Sequence, residues 1–127
     1  MISEKISRYW RVSVVEVTGS TQDDIAQRVS ENKAIPGELL TTEFQSAGRG
    51  RLDRTFEAKK STALLFSFYI EPSRKKNDWG FIPLLAGAAV ATSINKLTKS
   101  KIYKCKWPND ILSEKKKIAG ILSETFS

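Results

Sequence analysis

The chain contains no histidine and a single cysteine, Cys105. Without histidine, Ser-His and Cys-His nucleophilic catalysis lacks its base. With no cysteine cluster either, the usual zinc sites have no ligands, and neither zinc nor haem is expected. One cysteine cannot close an internal disulfide. No apolar run reaches the ~18 residues that suggest a membrane span, and the N-terminus from Met1 to Arg8 has no apolar core of signal-peptide length. A soluble, cytoplasmic protein with no membrane partner is therefore expected. Internal repeats, low-complexity tracts and a Walker-type Gly-Lys-Ser/Thr loop are also missing from the sequence, so any use of ATP does not rely on a P-loop.

What is present fits one domain. A chain of 127 residues can bury roughly two-thirds of its unfolded surface, and a single domain spanning 1-127 is expected. Lys and Arg number 21 against 14 Asp and Glu, a formal net charge of +7. That excess favours anionic partners, whether nucleotides, nucleic acid or an acidic protein.

The stretch from Thr42 to Phe56 organises the rest. A β-favouring run, Leu39 to Gln45, leads into Gly48-Arg49-Gly50-Arg51, where glycines free the backbone and two guanidiniums converge. Arginine forks match carboxylate or phosphate oxygens, and adjacent glycines let backbone N–H groups approach the same anion. Taken alone, a Gly/Arg cluster in a basic protein is more often a solvated loop or a nonspecific phosphate contact. Unpaired positive charge and glycine content predict that Ser46 to Phe56 is mobile until an anion arrives.

Patterning supplies the elements. Tyr9 to Val17 reads as a strand ending at Thr18-Gly19, and Ser20 or Thr21 then caps a helix to about Asn32, with Asp23 and Asp24 in its first turn. Glu38 to Gln45 is the next strand. Ser61 to Ile70 reads as a largely buried strand, and Phe81 to Leu97 as a helix whose Gly80, Gly87 and alanines allow close packing. Ile102 to Trp107 is a strand stopped by Pro108, followed by a hairpin of Ile111 to Ser113 and Ile118 to Thr125. Trp107 reads as core or pocket wall. Asn109 and Asp110 suit a turn or a metal-nucleotide role equally, and Lys117 lies in a Lys-Lys-Lys run that on charge alone is hairpin surface.

Four segments taken together are more specific: Ser20-Thr21, Gln45-Ser46-Ala47-Gly48-Arg49-Gly50-Arg51, Lys106-Trp107-Pro108-Asn109-Asp110 and Lys117-Ile118-Ala119-Gly120-Ile121-Leu122. In this order and at this spacing they resemble the catalytic domain of biotin-protein ligases, from about Trp10 onward. The resemblance implies an α+β fold with a mixed, largely antiparallel sheet and helices packed on one face. It also implies ATP-dependent formation of biotinyl-5′-AMP and transfer of biotin to a lysine of a biotin carboxyl carrier domain.

By the same resemblance, Ser20, Thr21, Gln45, Gly48, Arg49 and Lys117 contact biotin. Arg49, Arg51, Phe56, Lys106 and Asn109 contact the nucleotide, Lys117 and Arg51 carry the catalytic charge, and Asn109 is associated with Mg²⁺. No enzyme nucleophile is required, because attack of a carboxylate on a phosphate needs neutralised anions, which lysine and arginine provide. The family commonly continues its loop with Gly, a basic residue and Trp, where this chain has Asp53, Arg54 and Phe56. The smaller ring reduces stacking on adenine, and weaker nucleotide binding is expected. An N-terminal DNA-binding domain and a C-terminal barrel are not expected in this chain, nor is specific DNA binding; a homodimer is compatible. A lipoate-protein ligase, a module that binds biotin or its adenylate without turnover, and a basic nucleic-acid-binding domain are the competing readings.

Overall fold

The computed structural model describes residues 2–126. Their elements run β1 (Ile2–Lys5), β2 (Arg11–Thr18), α1 (Thr21–Ser30), β3 (Glu38–Gln45), β4 (Leu65–Phe68), α2 (Ile82–Thr98), β5 (Tyr103–Lys106), β6 (Asp110–Ser113) and β7 (Lys116–Gly120). The chain divides into two compact units, one reaching to Glu71 and including Phe126, the other Pro72–Thr125. The result is the expected mixed α+β class, with its strands distributed over two sheets.

In the first unit the sheet order is β1-β2-β3-β4. The valines of β2 suit a pleated surface, and β2 and β3 pair in parallel because α1 carries the chain back between them. β1 and β4 flank this pair antiparallel. The short polar segment Ile2–Lys5 has no alternating pattern, so β1 was not foreseen; its partners are Arg11 to Val14 of β2.

One face of this sheet is buried under α1. Leu40, Thr42, Leu65 and Ser67 are buried there with Ile25 of the helix. The opposite face bears Val14, Phe66 and Phe68, each about two-fifths exposed, with the two phenylalanine rings stacked at 6.3 Å and Trp10 edge-on to Phe68 at 5.3 Å. The expectation of a largely buried strand over Ser61 to Ile70 is thus corrected: β4 is four residues long, lies at a sheet edge and alternates. Its apolar run covers both faces of the pleat, and α1 packs against one of them.

The second unit begins with a 3₁₀ turn, Lys76–Phe81, that feeds α2. The helix packs on β5 and β6 through Gly87 and Ala91. A Cβ on Gly87 would lie 3.3 Å from Cys105 Sγ and 3.7 Å from Ile111 Cδ1, so the glycine permits the close approach. Around Gly80 there is open space. Asn95 mimics a peptide group, bonding Tyr103 through both its amide oxygen and nitrogen at 3.0 and 2.9 Å. With its 3₁₀ turn, Lys76–Thr98 is long and apolar enough, by length and composition only, to cross a membrane, a test that the core helix of a water-soluble domain also passes, and no uninterrupted apolar run in it reaches ~18 residues.

Candidate functional site

The first constellation forms where β2 ends and α1 begins. Ser20 is extended and its Oγ accepts from Asp23 N–H at 3.3 Å, capping the helix. Asp23 and Asp24 then sit in the first turn, where negative charge complements the exposed N–H groups, and Thr18 hydrogen-bonds Asp24 from the preceding strand. Parallel pairing of β2 with β3 brings Gln45 beside Thr18, and so beside this helix end. Gln45 Oε1 accepts from Thr21 N–H at 2.8 Å and from Thr21 Oγ1 at 2.9 Å. Ser20 and Thr21 are both buried.

Beyond Gln45 the chain turns back on itself. Phe56 N–H donates to Gly48 O at 2.8 Å and Gly50 N–H to Arg54 O at 2.7 Å, with Arg49 and Thr55 bridged antiparallel. A Cβ on Gly48 would stand 2.3 Å from Phe56 O and 2.8 Å from Gln45 Nε2, so this glycine is required by close approach. Leu52 and Asp53 form the tip in left-handed conformations, φ 55° and 57°. Asp tolerates that region far better than Leu does.

The Ser46–Phe56 stretch, expected to be mobile until an anion arrives, is folded here as this hairpin. Arg49 is also already engaged: its Nε and one terminal nitrogen lie 2.8 and 2.6 Å from Asp23 Oδ1. The physical reason is local supply of acid, since α1 offers Asp23 to the charge that was expected to wait for a ligand. Arg51 differs. It is exposed, and its side chain has no partner among the described residues. Phe56 is half-buried, with its backbone against Gly48.

The second constellation lies in the Pro72–Thr125 unit, where β5 passes through the cis Trp107-Pro108 bond into β6. Lys106 and Asp110 are cross-strand partners, and Lys117 Nζ is 3.0 Å from Asp110 Oδ1. A bulge between Ile111 and Leu112 shifts the β6–β7 register so that Lys117 pairs with Leu112, which re-aims β7 side chains. Asp110 therefore stands in register with one candidate lysine and in contact with another. Asn109 donates through Nδ2 to Ile121 O at 3.0 Å and accepts from Ile121 N–H at 2.9 Å through its own carbonyl. This is a brace on the chain after β7, with Oδ1 of Asn109 left without a partner among the described residues. Trp107 is 73% exposed rather than core, and Ile118 is exposed too.

Each unit thus gathers its own share of the candidate residues: Ser20, Thr21, Gln45, Gly48 and Arg49 with Phe56 and Arg51 in the first, Lys106, Asn109 and Lys117 in the second. The partners that hold them are not marked in the sequence: Asp23 reads there as a helix-dipole residue, Asp110 as a turn or metal residue, and Ser67 carries no motif. Ser67 Oγ is 2.8 Å from Thr21 Oγ1; a hydroxyl at an inward position next to Leu65 was the one available signal. Among the described residues no group of three metal-ligating side chains is assembled.

Comparison with known proteins follows this geometry. Residues 14–127 match the model of the biotin/lipoate A/B protein ligase family. The chain is 37% identical over 119 residues to the biotin-[acetyl-CoA-carboxylase] ligase of Mycobacterium tuberculosis, covering 91% of this chain and 45% of that protein. It is 32% identical over 113 residues to the bifunctional ligase/repressor BirA of Escherichia coli, covering 89% and 34%. The biotin protein ligase of Aquifex aeolicus in complex with biotin and ATP superposes with TM-score 0.76 at 30% identity, over 90% of this chain and 46% of that one. The Helicobacter pylori biotin acetyl coenzyme A carboxylase synthetase with bound biotinylated ATP superposes with TM-score 0.79 at 27% identity, over 91% and 55%. The chain spans about half or less of the curated relatives and structures it matches.

Proposed function

Because the chain belongs to the biotin/lipoate A/B protein ligase family, we propose that it acts in biotin-protein ligation. In the first step the biotin carboxylate attacks the α-phosphorus of ATP, biotinyl-5′-AMP forms and pyrophosphate leaves. In the second, the amine of a carrier-domain lysine attacks the acyl carbon, an amide forms and AMP leaves. The observation that carries this reading is the set Ser20, Thr21 and Gly48, all buried, with half-buried Gln45 bonded to Thr21 at the start of α1, next to Arg49. It offers neutral hydrogen-bonding groups for an uncharged head and a guanidinium for an anion.

Both reactants of the first step are anions, so the barrier falls when fixed cations offset their repulsion. In the first unit Arg49 and Arg51 of the hairpin are the candidate cations; in the second unit, taken by itself, Lys106 and Lys117 are. Arg49 exchanges Asp23 for the substrate anion. The exchange is inexpensive, since a half-exposed ion pair is worth about 1 kcal/mol or less. Asp110 holds the Lys117 ammonium in the second unit. Mg²⁺ takes most of its ligands from phosphates and water, so the fitting role here is an ion carried by the nucleotide, with Asn109 Oδ1 as its protein oxygen; bound there, it would neutralise phosphate charge. The carrier partner is a carboxylase domain, and the cytoplasm is the compartment in which both it and ATP are met.

Calorimetry with biotin, then with ATP, followed by an assay for pyrophosphate release tests the proposal. Biotin binding followed by biotin-dependent pyrophosphate release is the expected result. Lipoate in place of biotin, or biotin binding without turnover, would replace it with a competing reading.

A further inference from the structure

The polar groups beneath Gln45 form a chain whose hydrogen positions follow from one fixed donor. A backbone N–H can only donate, so the Gln45 atom 2.8 Å from Thr21 N is the carbonyl Oε1 and not the amide nitrogen. Thr21 Oγ1, 2.9 Å from the same oxygen, must donate to it as well, because Oε1 carries no hydrogen. The single proton of the Thr21 hydroxyl is then spent. Ser67 Oγ, 2.8 Å from Thr21 Oγ1, is left as the donor in that contact. Donation therefore runs one way, from Ser67 to Thr21 to Gln45, and both hydroxyl residues are buried.

We propose that Ser67 is a positioning residue for substrate recognition, which holds the Gln45 amide in one orientation through Thr21 without touching the substrate. With Oε1 held inward by two donors, Nε2 points to the Gly48 side, where an added Cβ would stand 2.8 Å from it. Nε2 has no acceptor among the described residues. A donor so placed selects an acceptor atom on the ligand. On the biotin-ligase reading, on which this inference rests, that atom is the urea oxygen of the head group, since a ring N–H would meet Nε2 donor to donor. Without Ser67 the Thr21 hydroxyl loses the donor that anchors its oxygen and is free to rotate away. Gln45 is then held by the backbone N–H alone, and its amide spends part of its time misdirected.

A coupling measurement separates this role from a merely structural one. Ser67→Ala should raise the biotin dissociation constant of the complete protein ~5-fold, the scale of one lost buried hydrogen bond, and Ser67→Thr, which keeps the hydroxyl, should restore it. In a Gln45→Ala background the same Ser67→Ala change should cost nothing further, because the group it orients is gone. Equal losses in both backgrounds, or no loss in the wild-type background, would overturn the assignment. If the wild-type protein fails to bind biotin, the biotin-ligase reading fails, and Ser67 is decided without ligand. The NMR signals of the Gln45 side-chain amide should shift in Ser67→Ala and keep their place in Ser67→Thr, and an unchanged signal in Ser67→Ala removes Ser67 from the role.

Discussion

Lys115, Lys116 and Lys117 carry one charge each in one short stretch, yet among them only Lys117 has an ion pair among the described residues, with Asp110. A general electrostatic effect would make the three interchangeable and weak, because exposed charges are screened by salt. Lys117→Ala is expected to abolish biotin-dependent pyrophosphate release, as loss of one preorganised charge costs ~3 kcal/mol of barrier, whereas Lys115→Ala and Lys116→Ala leave it within about twofold. Similar losses from all three would return the run to hairpin surface. Arg51 is the opposite case, an exposed guanidinium with no side-chain partner among the described residues. Arg51→Ala should therefore leave the unfolding midpoint unchanged while biotinyl-adenylate dissociates faster, by about tenfold for one charge-assisted hydrogen bond; unchanged release in a stopped-flow chase removes it from the site.

Among the elements, the hairpin after β3 depends on one of its two glycines. Gly48→Ala forces a methyl to within 2.3 Å of Phe56 O, so the Gly48–Phe56 pairing must open, at a cost of about 1–3 kcal/mol. Gly50→Ala meets nothing closer than Arg54 Cβ at 3.5 Å, an ordinary contact. Urea unfolding and biotin titration should both be impaired in the first variant and nearly normal in the second; matching behaviour would show that the hairpin is not closed as described. The start of α1 makes a separate demand. Ser20→Ala leaves Asp23 N–H without its cap, and unfolding should register a loss of about 1 kcal/mol even before any effect on substrate is measured.

For the molecule as a whole, the charge of +7 acts at a distance on any polyanion. Encounter with ATP should slow steeply as salt shortens the screening length from about 10 Å at 0.1 M. Biotin, with one carboxylate and, on the proposed function, a head met by neutral groups such as Gln45 and Thr21, should respond far less. Titrations of both ligands across a salt series test this, and parallel curves would show that the two are bound by the same long-range field.

Local chemistry was legible in the residues themselves. The cap at Ser20, the acids behind it, the bounds of β3 and the four ordered motifs that mark the family all follow from neighbours in sequence, because caps, strand propensity and glycine-arginine turns are set within a few residues. Contacts between distant residues were not legible. Ser67 reaches Thr21 across 46 positions, and Arg49 reaches Asp23 across 26. Lys117 finds Asp110 through a bulge, and Phe66 and Phe68 come to lie on the sheet face opposite α1. Such pairings depend on strand order, register and which face a helix covers. Those are properties of the assembled sheet, since a shift of one residue in register exchanges its two faces.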